Sequence, residues 1–155
     1  MSYIPSHPLN RAFNVAVLHI AGRLHPQGFD VIPNDDLDTL AKLKAHVDKT
    51  KRFAVWAGAS DTTIFGDPEV NYAFRAWHDW CHYLINAEFD HAGESAVCKL
   101  MQEQCRAIFG TNTEFDALIE AEVMGQLNYK RVYGEFPRDQ AAFTRVVLAN
   151  PEVGV

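Results

Sequence analysis

A chain of 155 residues, 48% of them hydrophobic, can bury one sizeable core, and it is too short for two ordinary domains, so a single domain over 1–155 is expected. Lys and Arg total 14 against 20 Asp and Glu, a formal charge of -6 that speaks against nucleic acid or an anionic membrane as partner. The three cysteines, Cys81, Cys98 and Cys105, form no C-x-x-C pair and read as reduced, buried thiols of a cytoplasmic protein, not as a disulfide scaffold.

The N-terminal MSYIPSHPLNRAFN has no basic stretch leading into an apolar core, and no run approaches the ~18 apolar residues of a membrane span. Ser6 as cap and Pro8 near the start predict a first helix through LNRAFNVAVLHIAGRLH, ending before Pro26 and the Gly28 turn. Its core stripe is Ala12, Ala16, Ile20 and Leu24, with Phe13 and Val17 alongside. His19 lies off the centre of that stripe and reads as a partly buried, locally bonded histidine. GFDVIPN is a loop, because Pro33 excludes a regular strand centre. Asn34, Asp35 and Asp36 open a second helix, DLDTLAKLKAHVDK, with Leu37, Leu40, Leu43 and Val47 inward.

Phe53 to Trp56 is a short β-like run with no second alternating run to pair with, so an ordered loop lying over a site is expected there. Asp67 as N-cap, Pro68 at the first helical position and Glu69 in the first turn then launch a central helix reaching about Asn86. ESAVCKLMQEQCRAIFG follows as a helix with Gly110 as its stop. Thr113 caps TEFDALIEAEVMGQLNYKRVYG, with Asp116 as a capping-box acid and Gly134 as a second stop. A last helix, RDQAAFTRVVLAN, follows Pro137. The fold class is therefore all-α, a single compact bundle of about six helices around the central one.

Chemistry is carried by polar residues that occupy core positions. On the central helix the stripe is Phe74, His78, Cys81, His82 and Ile85, and two histidines four residues apart stack on one face, the spacing at which one metal ion touches both imidazoles. Glu94 begins the next buried stripe, Glu94, Cys98, Met101, Cys105, Ile108, although a glutamate in a first turn also serves free helix N–H groups. On the fifth helix Phe115, Ile119, Glu122, Gln126 and Tyr129 place a carboxylate and an amide in an apolar face, while Glu120 points to solvent. Inward carboxylates need cations or donors, and inward histidines need acceptors or a metal.

One arrangement serves both: His78, His82, Glu94 and Glu122 around one divalent ion, with Gln126 supporting and Asp79 close by. The donor set suits Zn, Mn, Fe or Ni. Whichever of Glu122 or Asp79 does not coordinate is the candidate general base of a metal-dependent hydrolase acting on a small molecule. A metal-free His/Glu hydrogen-bond network meets the same demands. In that case the chain is a non-enzymatic accessory or interaction protein; a metal- or small-ligand-binding module without turnover is a third reading.

Two resemblances bear on this. The His78-Asp79 doublet in an all-helical chain resembles the core of the HD-domain metal phosphohydrolases, which implies a metal, an earlier His (His19 or His46), a later Asp (Asp116) and a phosphoester or nucleotide substrate. Over roughly residues 63–143, the patterns FRAWHDWCH, GE, AEVMGQLNY and FPRDQAAF resemble small all-helical proteins of phage and prophage type. That second resemblance supports His78, Asp79, His82, Glu94, Glu122 and Gln126 as one group and implies no activity.

Overall fold

The computed structural model describes residues 7–150, and in them the helices follow from their caps and apolar stripes. α1 (Arg11–Leu24) is capped by Asn10, whose side chain accepts from the Phe13 N–H; Ser6, the expected cap, lies outside the described residues. Phe13, Ala16, Val17, Ile20 and Ala21 are its buried face, a stripe at i, i+3, i+4, i+7 and i+8 that leaves Ala12 exposed and Leu24 half-buried. α2 (Leu40–Thr50) starts later than Asn34–Asp36 suggested. Its cap is Thr39, and Asp38 pairs with Lys42 Nζ at 2.7 Å beside it. Leu40 and Leu43 are buried, with Leu37 and Val47 at the margin.

A small sheet replaces two expected loops. β1 (Asp30–Ile32) and β2 (Ala54–Trp56) pair in parallel, Asp30 with Ala54, Val31 with Val55 and Ile32 with Trp56. Pro33 falls just past the last paired residue of β1, so it removes no ladder bond. Arg52 Nε donates to both carboxylate oxygens of Asp30, at 2.9 and 3.0 Å, and fixes the register at its open end.

α3 (Pro68–Ile85) is the helix on which the others pack. The Asp67 carboxylate accepts from the Glu69 N–H at 2.9 Å, Pro68 fills the first turn, and Asn86 ends the helix in the left-handed region at φ 57°. Val70, Ala73, Phe74, Trp77 and Cys81 are buried against α1 and α4 (His91–Phe109), and Trp77 Nε1–H donates to Gln104 Oε1 at 2.7 Å. Ile85, expected inward, is 41% exposed, because the helix ends beyond the bundle edge. On the other side Phe53, Trp80, Tyr83 and His25 meet ring to ring and fasten β2 to α3. Cys81, Cys98 and Cys105 are free and buried, and burial pushes each thiol pKa up, to between about 11 and about 12.

The α3–α4 turn matters most for the site. Asp90 caps α4 by accepting from the Gly93 N–H at 2.8 Å. A Cβ on Gly93 would lie 1.8 Å from the Glu88 carbonyl oxygen, so only glycine lets this turn fold tightly onto the helix that carries Glu94. α5 (Thr113–Glu120) is capped by Asn112, not Thr113, and Asp116 forms no capping box; it pairs with Arg106 Nη1 at 3.0 Å. The expected single helix to Gly134 is interrupted by a wider π-helical turn, Ala121–Gly125, before α6 (Gln126–Tyr133). α7 (Gln140–Ala149), capped by Asp139, closes the bundle. With α5, the π turn and α6 taken as one rod, the described residues form six helices, the all-α bundle the sequence implied. No helix among them is long and apolar enough to cross a membrane.

Candidate metal centre

His78 and His82 stack one turn apart on the inner face of α3, and Glu94 faces them from the first turn of α4. His78 Nε2 lies 2.7 Å from Glu94 Oε2, His82 Nε2 lies 3.1 Å from Glu94 Oε1, and the two Nε2 atoms are 3.2 Å apart. Three donors on a tetrahedral ion at ~2.1 Å are themselves roughly 3.4 Å apart. Two of the three separations stand within about 0.3 Å of that spacing, the His78 to Glu94 contact must open by about 0.7 Å, and this His78, His82 and Glu94 group could hold a metal ion.

The other ring nitrogens are already committed. His82 Nδ1 is 2.9 Å from the Ala87 carbonyl oxygen, which can only accept, so Nδ1 donates there and Nε2 is the ring nitrogen that faces Glu94. His78 Nδ1 is 2.9 Å from Asp79 Oδ1. A ligating histidine is held by an acceptor on its far nitrogen in the same way. His82 is fully buried, Glu94 is 9% exposed, and the Phe89 ring packs against both imidazoles. Burial alone would lower the His78 pKa, but the carboxylates of Glu94 and Asp79 outweigh it and push it up to about 10; the same pairing overcomes burial at Glu94 and holds it down to about 2. Without an ion the cluster is a closed ion pair. An ion bound by the three side chains would take the place of the proton between His78 and Glu94.

Asp79, on this geometry, orients His78. Glu122 does not join the three ligands, contrary to expectation. Its Oε2 accepts from Gln126 Nε2 at 3.0 Å and its Oε1 from Thr144 Oγ1 at 3.2 Å. Gln126 correspondingly supports Glu122 and not the metal group. The cause is α7, which brings the fully buried Thr144 hydroxyl against the π turn and anchors the carboxylate on another wall. With only uncharged donors bonded to it, Glu122 is pushed up by burial to about 7, the two hydrogen bonds and the more distant Arg75 offsetting part of the shift. Of the partners suggested by the HD resemblance, His19 is exposed against the Phe109 ring, His46 sits on α2, and Asp116 pairs with Arg106; none belongs to the group.

A cavity of about 350 Å³ connects these parts, lined by β2, α3, Glu94, the π turn and α6. His78, Asp79, Glu94 and Glu122 all reach it, and so do residues the sequence did not single out, chiefly Asn71, Arg75, Trp56 and Gln140. Arg75 Nη1 donates to the Trp56 carbonyl at 2.5 Å, Nη2 reaches the Ala59 carbonyl at 3.5 Å, and the guanidinium lies over the Trp56 ring at 5.2 Å from its centroid. Gly58 permits this, since a Cβ there would meet the indole at 2.1 Å. Helical spacing alone could have found Arg75, three residues before His78 on the same face; Gln140 and Thr144 carried no such signal. Set against known proteins, the chain matches no protein-family model, no curated protein and no solved structure.

Proposed function

We propose that the protein is a mononuclear metal-dependent hydrolase, with His78, His82 and Glu94 as ligands and a phosphoester as substrate. The observation that carries this is the pair of committed Nδ1 atoms, on Asp79 and on the Ala87 carbonyl, which leaves both Nε2 atoms aimed at one carboxylate. Zn, Mn, Fe or Ni suits two imidazoles and a carboxylate. Bound there with open positions, such an ion lowers the pKa of a water toward neutrality and polarises the ester. Glu122, with a pKa near 7 and a place on the same cavity, is the general base. The water oxygen bonds to phosphorus, the ester P–O bond breaks, and Glu122 passes the water's proton to the departing oxygen. Asp79 is a positioning residue, and the phosphoester rests on the HD resemblance.

Elemental analysis of protein purified without a His tag tests the centre. About one equivalent of a transition metal is expected in the wild type and little in His78→Ala. A chelator should lower the melting temperature of the wild type, because ligand-linked stability grows as RT ln(1 + [L]/Kd), and leave His82→Leu unmoved. The 2.7 Å His78 to Glu94 contact favours a second reading, a self-contained pair in a non-enzymatic accessory or interaction protein. Substoichiometric metal, unchanged in His78→Ala and not restored by Zn, Mn, Fe or Ni, decides for it.

A further inference from the structure

We infer that the cavity takes a small phosphate monoester whose phosphate is gripped by Arg75, with Lys130 at the mouth. This deepens the hydrolase proposal and rests on it for the chemistry, though not for the grip itself. Asn71, Arg75, His78 and His82 recur at i, i+4, i+7 and i+11 along α3, so Arg75 stands one turn from the first ligand on the same face. Its hydrogen-bond partners are two backbone carbonyls, and it lies over an indole face; among the described residues no carboxylate pairs with it directly, and Asp79 and Asp35 act on it only from a distance. The two carbonyls engage two of the five N–H donors of a guanidinium. A cation held on neutral acceptors in a cavity is a charge with a vacancy for an anion, and the planar fork matches a phosphate's oxygens.

Lys130 has the same character on the α6 wall, its ammonium over the Phe136 ring at 4.7 Å and not on an acid. Of the rim acids, Asp38 is already neutralised by Lys42. An ion held at His78, His82 and Glu94, with Arg75 and Lys130, sets cationic groups around this cavity to meet the oxygens of a phosphate, Asp35 and Asp79 offsetting part of their charge. About 350 Å³ is the scale of a single small ligand, and a chain of net charge -6 offers no track for a polymer backbone. Trp56 and Phe136 offer the organic part a surface beside the two cations.

Calorimetric titration with inorganic phosphate, phenyl phosphate and benzoate, each into chelator-treated and zinc-loaded protein, tests this. Phenyl phosphate should bind the zinc-loaded wild type more tightly than benzoate does. Arg75→Gln should keep its zinc and lose about 10-fold or more of that affinity, while Arg75→Lys, which keeps charge but not the fork, falls between. Lys130→Gln, at an exposed position that folding does not depend on, should lose roughly 2- to 5-fold. Zinc-loaded Arg75→Gln that binds phenyl phosphate as the wild type does, or wild type that prefers benzoate, overturns the inference; should Arg75→Gln not fold, undiminished binding in both Arg75→Lys and Lys130→Gln does so. If zinc binds and phenyl phosphate does not, the grip falls and the metal centre stands. If no metal binds but phenyl phosphate still binds through Arg75, the grip stands and the hydrolase reading falls.

Discussion

Glu94 and Glu122 look alike in the sequence, each a carboxylate interrupting an apolar helical face, yet the fold gives them opposite characters. Glu94 meets two imidazoles and is held down to about 2; Glu122 meets a hydroxyl and an amide and is pushed up to about 7. Burial acts on both in the same direction, so the difference lies in the charge of the donors around them. Two carboxylates driven apart in one cavity are a standing anion and a group that titrates near neutrality, the division that the proposed hydrolase uses.

The hardest way to break that comparison is to remove Glu94. Glu94→Ala leaves His78 and His82 buried without their shared acceptor, and a broken buried pair costs about 3–5 kcal/mol. Urea denaturation of metal-free protein at pH 7 should show that loss, and a change under about 1 kcal/mol would mean the pair is not made in solution.

Glu122→Gln sharpens the contrast through pH. A carboxyl whose pKa is raised on folding carries no penalty below its ordinary value of 4.5, and it costs stability as pH climbs from there to about 7. The wild type should therefore lose ground to Glu122→Gln across that window, by roughly 2 to 3 kcal/mol once solvent screening is allowed for. Denaturation curves of the two proteins at pH 5 and 7.5 measure it; a constant difference between them would show that Glu122 is not held neutral.

Asp79→Asn is the mildest test, because it preserves shape and removes only the charge behind His78. Metal affinity should fall about 10- to 100-fold, or ~1.4–2.7 kcal/mol, in competition with a chromogenic chelator. The same substitution at an orienting position that does not exist would leave affinity untouched.

Much of the ligand group was legible from spacing. Asp67, Pro68 and Glu69 start α3, His78 and His82 fall on its inner face, and Glu94 heads the buried stripe of α4, all local consequences of a 3.6-residue repeat. Helix starts were read less well, since Asn10, Thr39, Asp90 and Asn112 cap where neighbouring polar residues qualified equally on local grounds. The sheet was missed because three-residue strands show no alternation, and their parallel partners are separated in the chain by α2.

The sequence by itself determined the all-α class, the central helix and the inward set of His78, His82 and Glu94, because periodicity and capping act within a few residues. Only the tertiary structure decided that Glu122 belongs with Thr144 and Gln126, that Asp79 stands behind His78, and that Arg75 faces the cavity from beneath β2. The Thr144 and Trp56 contacts depend on which distant element arrives beside each side chain, and Asp79 and Gln126 only on which rotamer that packing leaves open. A carboxylate's charge state is set by that arrival and not by its place on its own helix.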